Sequence, residues 1–456
     1  MPNINASTYL DFPSASPPTY DLKSVKIGVI HMGLGAFHRA HQAVYFEKLL
    51  RLGNLGYGIA SVSQRSEKEA TTLSAQDCLY TVDLRDGETH RPLIVGAIRK
   101  AYFYPSHRDE LLEIASSTDL KVITLTVTEK AYRVDEIVPK RIIELLEARF
   151  RNGREGIAII SCDNLSSNGD VVRSILIETA RNSSSDFLAW LSDKCRFPNS
   201  TVDRIVPAIT AKSIAGYADL YEYTDRSLIS TEPFIRWVIE NDPLATDLSS
   251  VGVEFVSDVK PYEKMKIRLF NGAHSALAYF GQISGFEFVA DAIAEPRIRD
   301  FIRDLQELEL AKSFDAPQGI DLHEYSQSAR NRIANIALRH RSAQIAMDGS
   351  QKLPQRLFAS AHDLHQNGLP SQRISFVIAA WIHFLAISTE LNDPLADELQ
   401  KWAIEKDPFS AVSGVLTIQS FATHLPQALF PEITHWLEQL RVNPLLDVIG
   451  SVGVKF

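Results

Sequence analysis

The sequence predicts an α/β fold over residues 1–260, joined to a mostly α-helical domain over residues 261–456. Three observations carry this. Short runs rich in β-branched residues alternate with helical stretches in the first half. Those strand signals fade near residue 260. Long helical patterns then take over to the end of the chain.

The elements follow in order. Val25–Ile30 reads as a first strand, and a helix runs from Ala36 to Leu50, ended by Arg51 and Gly53. Tyr57–Val62, Val122–Val127 and Gly156–Ile160 read as further strands. Strands alternating with helices argue for a parallel sheet covered on both faces. Beyond the boundary, helical patterns span 264–283, 287–312, 323–346, 354–367 and 371–389. The most apolar stretch, Ile374 to Ile387, is interrupted by His383 and is too short to span a bilayer. It reads as a buried helix.

Composition narrows the function. The chain has 456 residues, 45% hydrophobic, with a formal charge of −9. That is the balance of a soluble globular protein, and it favours neither nucleic acid nor membrane. The start, Met1-Pro2-Asn3-Ile4-Asn5-Ala6, has no charged-then-apolar leader, so a cytoplasmic location is expected. Cys78, Cys162 and Cys195 are far apart and odd in number, which argues against a disulfide framework or a cysteine zinc site. His38 and His41 are three apart but lack a carboxylate partner, so no metal is expected.

The first strand runs into His31-Met32-Gly33-Leu34-Gly35-Ala36-Phe37-His38. This is a dinucleotide fingerprint lacking its third glycine. Gly33 and Gly35 still permit the tight turn and the close approach of a pyrophosphate, which Ala36, Phe37 and His38 would meet at a helix start. With a strand before and a helix after, the first domain reads as Rossmann-like. The second strand leads into Arg65 and Glu67, one of each sign. NAD is the expected cofactor, and the basic Arg65 keeps NADP open. Ligands in such sheets lie beyond the carboxyl ends of strands. Thr128-Glu129-Lys130 and Asp163-Asn164 occupy two such ends. Asp163 reads as a turn former. The amide of Asn164 reads either as a turn former or as a donor to a substrate oxygen.

The second domain opens with Tyr262 to His274, sequence YEKMKIRLFNGAH. Lys266, Asn271 and His274 place an amine, an amide and an imidazole in one helical stretch. At about 100° per residue they fall within an arc of roughly 140°. A proton carrier, a hydrogen-bond donor and an orienting ring then face one cavity, expected at the domain junction. Spacing alone does not separate this from a snorkelling lysine beside a satisfied histidine.

GLGAFHRAHQ from Gly33, LTVTEKAY from Leu125, SCDN from Ser161, FPNSTVDRIVP from Phe197, EPFIRWVIE from Glu232 and YEKMKIRLFNGAHSALAYFG from Tyr262 resolve that choice. Together they resemble the polyol-specific long-chain dehydrogenases, a family that includes mannitol 2-dehydrogenase, arabinitol dehydrogenase and fructuronate reductase. The matching blocks span most of residues 27–360. The resemblance implies a zinc-independent enzyme that moves a hydride between a nicotinamide cofactor and a sugar carbon. It implies Lys266 as general acid/base, with Asn164 and Asn271 as amides around the reacting oxygen. It also implies that His274 positions that oxygen and that Asp203 binds a substrate hydroxyl. Glu129 and Glu263 are the implied acidic relays to the lysine. A lysine in that role needs its pKa brought from about 10.4 toward neutrality.

The chain departs from the family at three places. Ala131 stands where many members have glycine, and the segment from Tyr132 to Arg154 is shorter. Gln344 aligns with a substrate-binding arginine of mannitol dehydrogenases. The tract from Leu338 to Arg356 resembles fructuronate reductases instead. The expected substrate is therefore a sugar acid, its carboxylate met by Arg339 or Arg341. Neutral polyols and ketoses form the alternative, and an inactive nucleotide sensor a remote one. A monomer or small homo-oligomer is expected.

Overall fold

Val29 and His31 point to one face of the first strand, Ile30 and Met32 to the other, and all four are fully buried. This strand, β1 (Ile27–Met32), is the centre of a parallel five-stranded sheet. β2 (Gly58–Ser63) lies on one side of it. β6 (Val122–Leu125) lies on the other. β5 (Ile98–Phe103) and β7 (Ala158–Ser161) take the edges. Separate apolar clusters cover the two faces. Because β1 pairs on one side with β2 and on the other with β6, the chain reverses its winding between β1 and β6. That is the switch point at which open α/β sheets bind ligands.

The structure is a computed structural model. It describes the chain except residues 129–130, 243–245, 419–420, 422–424 and 454–456, and the side chains of 211, 212 and 246. Two compact units divide it, Met1–Lys260 and Pro261–Phe456.

The first unit carries two further three-stranded sheets. An antiparallel hairpin, β3 (Tyr80–Asp86) and β4 (Thr89–Val95), turns at Gly87 and is joined by β9 (Ile229–Thr231). β8 (Ser200–Asp203), β10 (Arg236–Glu240) and β11 (Glu254–Val256) form the other. The helix expected over Ala36–Leu50 is two pieces, Ala36–Ala40 and Gln42–Arg51. His41, at φ −118° and ψ −85°, breaks it.

The second unit is helical, but its long elements are interrupted. The stretch expected over 323–346 ends at Ile333, restarts as a short 3₁₀ turn at Ile336–Leu338, and breaks at Arg339 (φ 46°) before Ser342–Ala346. Three π-helical segments occur among the described residues: Lys266–Gly272, Leu305–Glu309 and Pro354–Phe358. The apolar helix Gln372–Ile387 is buried along most of its length. No helix of the described residues is long and apolar enough to cross a membrane.

Candidate active site

The glycine turn leaves the carboxyl end of β1 beside that of β6. Gly33 has φ +125°, a conformation open mainly to glycine, and a Cβ there would lie 2.3 Å from the Thr126 carbonyl oxygen. Gly35 is different. It is exposed, and a Cβ on it would meet nothing within 4 Å. One glycine is demanded by the fold; the other leaves open backbone at the start of the helix Ala36–Ala40, whose first N–H groups have no partner within the helix. That open cradle fits a pyrophosphate.

His38 occupies the place of the missing third glycine. Its ring stacks on His31, with centroids 3.4 Å apart and planes within 8°. His31 is held by Thr124 Oγ1 at 2.7 Å and Thr126 Oγ1 at 2.8 Å. Burial pushes both imidazoles well below their usual pKa. A neutral ring pair therefore fills the helix–strand gap that the third glycine ordinarily closes. Phe37 stacks on His41 at 5.1 Å. Arg65 is exposed, 3.7 Å from Glu136, and Glu67 is exposed beside it.

Asp163 does more than form a turn. Its carboxylate accepts the N–H groups of Val127 (2.9 Å) and Thr128 (3.0 Å) and the Tyr132 hydroxyl (2.6 Å). It thus ties the end of β7 to the end of β6. Thr128 sits at φ 71°, a position β-branched residues rarely adopt, and strain of this kind concentrates at functional sites. Glu129, next in sequence, lies outside the described residues. Asn164 is exposed just after Asp163. Asn168 instead bonds the Ser161, Asp163 and Ser200 carbonyls and is structural. Asp203 is buried at the end of β8.

In the helical unit, Lys266, Asn271 and His274 lie on one continuous run: α-helix Lys260–Met265, π-helix Lys266–Gly272, α-helix Ala273–Ser284. The 100° period does not hold across its middle. In a π-helix, hydrogen bonds join residues five apart, so such residues stack as those four apart do in an α-helix. Lys266 and Asn271 are five apart. The π turn thus sets Lys266 and Asn271 one turn apart along the backbone, which a uniform α-helix would not do.

Side chains from the other two π segments complete this one. Gln306 Nε2 donates to the Leu269 carbonyl at 2.8 Å. Arg356 Nη1 reaches the Asn271 carbonyl at 3.4 Å and Ser275 Oγ at 2.9 Å. Arg268 is anchored to Asp363 at 2.6 Å. Glu263 is buried one turn before Lys266.

His274 is 6% exposed, and its Nε2 has no hydrogen-bond partner. Burial first, then His340 and the charges of Arg356, Arg332 and Lys352, hold its pKa well below the usual value. It is a neutral ring. The His340 ring stands edge-on to it at 5.1 Å, its pKa lowered to about 4 by burial and Lys352. The sequence does not single out Arg332, and His340, Lys352 and Arg356 lie within the Leu338–Arg356 tract without being distinguished there, because all four are far along the chain from His274. Arg341 is exposed and 3.2 Å from Glu287, and Arg339 covers the Phe288 ring at 4.5 Å. Neither is among the charges acting on His274. No group of three or more His, Cys, Asp or Glu among the described residues would hold a metal ion.

A glycine turn at the switch point of a parallel sheet, followed by a helical unit bearing an amine, an amide and an imidazole on one helix, defines a two-domain dehydrogenase. Residues 27–250 match the mannitol dehydrogenase Rossmann domain, and residues 258–441 the mannitol dehydrogenase C-terminal domain. The chain belongs to the mannitol dehydrogenase family of oxidoreductases. It is 33% identical to D-mannonate oxidoreductase of Escherichia coli K12 over 90% of this chain and 92% of that one. It is 32% identical to mannitol dehydrogenase 2 of Saccharomyces cerevisiae over 89% of each. Mannitol 2-dehydrogenase of Pseudomonas fluorescens, solved with NAD and D-mannitol, has a TM-score of 0.88 and 28% identity, covering 98% of this chain and 99% of that one.

Proposed function

We propose that this enzyme transfers a hydride between NAD and a sugar acid, interconverting a ketouronate and the matching aldonate. The observation that carries the chemistry is the Lys266–Asn271–His274 helix, in which a π turn spaces Lys266 and Asn271 one turn apart along the backbone. NAD, when bound, supplies or accepts the hydride. Gly33, Gly35, Ala36, Phe37 and His38 would hold its pyrophosphate, and Arg65 and Glu67 its adenosine ribose.

Lys266 gives a proton to the carbonyl oxygen in reduction and takes it from the alcohol in oxidation. Asn271 and Asn164 donate amide hydrogens to that oxygen as charge develops on it, each worth a few kcal/mol at most. His274, neutral and with an unpartnered Nε2, orients the same oxygen. Glu263, with Glu129, relays the lysine proton, and Asp203 binds a substrate hydroxyl. The 33% identity to a D-mannonate oxidoreductase supports the sugar acid. The similarity to mannitol dehydrogenases supports a second reading, a neutral polyol or ketose.

A panel of ketouronates and ketoses, assayed with NADH and NADPH by absorbance of the reduced cofactor, tests the choice. D-Fructuronate should exceed D-fructose in kcat/KM by about tenfold or more. A preference for fructose makes the enzyme a polyol dehydrogenase.

A further inference from the structure

We infer that Arg204 is a positioning residue: it fixes Asp203 against the helix Ala36–Ala40 that follows the glycine turn, and so sets where the substrate hydroxyl bound by Asp203 stands relative to the cofactor. This rests on the reading of Asp203 as a substrate ligand, and the test below separates the two.

The break at His41 frees a carbonyl for this purpose. In an unbroken helix the Ala40 carbonyl would accept the Val44 N–H. That N–H bonds the His41 carbonyl instead, at 3.0 Å. The Ala40 carbonyl accepts Nη1 of Arg204. The guanidinium's Nε and Nη2 donate to the Glu232 carbonyl at 3.1 and 2.7 Å. Arg204 is 6% exposed, so these bonds are made away from water, where each counts for more. Burial, countered by Glu232 and Tyr45, lowers its pKa to about 10, and it stays charged at neutral pH.

Asp203 sits inside this frame. It is the last residue of β8, directly before Arg204. Arg236 of β10 lies opposite it, and the Arg236 carbonyl accepts from His41 Nε2 at 2.9 Å. On the other side, the Ile205 N–H donates to the Glu232 carboxylate and the Ile205 carbonyl accepts the Thr231 hydroxyl, both at 2.6 Å. The residue after Asp203 and the residue opposite it are therefore tied to Ala40 and His41, two neighbours at the end of one helix. The tie from Arg204 crosses 164 positions of sequence. A planar guanidinium reaches both carbonyls at once, which a single ammonium does less well. Such support matters because a substrate ligand displaced by about 1 Å can cost a hundredfold in rate.

The test is a double-mutant cycle on the full-length enzyme: Asp203→Asn, Arg204→Gln and the pair, assayed on the sugar the wild type prefers. NADH affinity is measured in parallel by fluorescence titration without sugar. Each single variant should raise KM for the sugar about tenfold or more, with NADH affinity within about threefold of wild type. The two losses should not add, so the double variant should stay within about threefold of Asp203→Asn alone. Arg204→Lys, the variant to use if glutamine unfolds the protein, should recover part of the wild-type KM. Additive losses, or a fall in NADH affinity as large as the rise in KM, would make Arg204 a packing residue and overturn the inference while Asp203 keeps its role. An unchanged KM in Arg204→Gln would do the same. A wild-type KM in Asp203→Asn would remove the substrate contact itself, and both readings would fall.

Discussion

The glycine turn at Gly33–Gly35 and the π turn at Lys266–Gly272 solve a similar problem in different ways. Each places reactive groups by departing from regular geometry. At the first, the departure is written into the residue types: φ +125° at Gly33 and a backbone approach that no Cβ tolerates. At the second, nothing in KIRLFNG announces a change of hydrogen-bond register. Within it, Gln306 and Arg356, from two other π segments, bond the carbonyls of Leu269 and Asn271. The lesson is that backbone strain is local and readable, whereas hydrogen-bond register is set by partners far along the chain.

Breaking the first region should have the largest effect. Gly33→Ala puts a methyl group 2.3 Å from a backbone oxygen and strains φ. A loss above about 3 kcal/mol is expected, seen as a marked fall in the thermal midpoint. A variant as stable as wild type would remove the turn from the argument for a built cradle.

Glu309 sharpens the comparison through pH. It ends the second π segment and accepts the N–H groups of Arg373 and Ile374 at 2.8 and 2.9 Å. Burial pushes its pKa from 4.5 up to about 7. The neutral form is the one the fold favours. Its stabilisation is complete below about pH 4.5 and is lost as pH rises through about 7, at most roughly 3 kcal/mol. Urea denaturation at about pH 5 and pH 8 should show wild type losing stability relative to Glu309→Gln as pH rises. A difference that does not change with pH would contradict the assignment.

A smaller change addresses the π turn itself. Gln306→Leu leaves the buried Leu269 carbonyl without its donor, at a cost of about 1–3 kcal/mol. If the π register aligns Lys266 with Asn271, turnover should fall more than stability does. A stable variant with normal turnover would show that the alignment does not depend on this brace.

Four of the five strands of the parallel sheet were legible, as in the buried apolar run Ile157–Ile160. The fifth, Ile98–Phe103, was not, because Arg99 and Lys100 interrupt its apolar run. The fingerprint turn and the Lys–Asn–His helix were legible from residue types. The β3–β4 hairpin was not read, because Tyr80–Val95 mixes charge into both faces. The break at His41 and those around Arg339 escaped because hydrophobic periodicity reports which face is buried, not where the hydrogen-bond ladder stops. The cations around His274 escaped because Arg332, Lys352 and Arg356 reach it only through folding.

Turnover of Lys266→Ala on the preferred ketouronate, with NADH binding measured in parallel, tests the central claim most directly. If Lys266 carries the proton, turnover falls by roughly two or more orders of magnitude while NADH affinity stays near wild type. Turnover within a few-fold of wild type would take Lys266 out of the mechanism and leave the π turn without its chemical purpose.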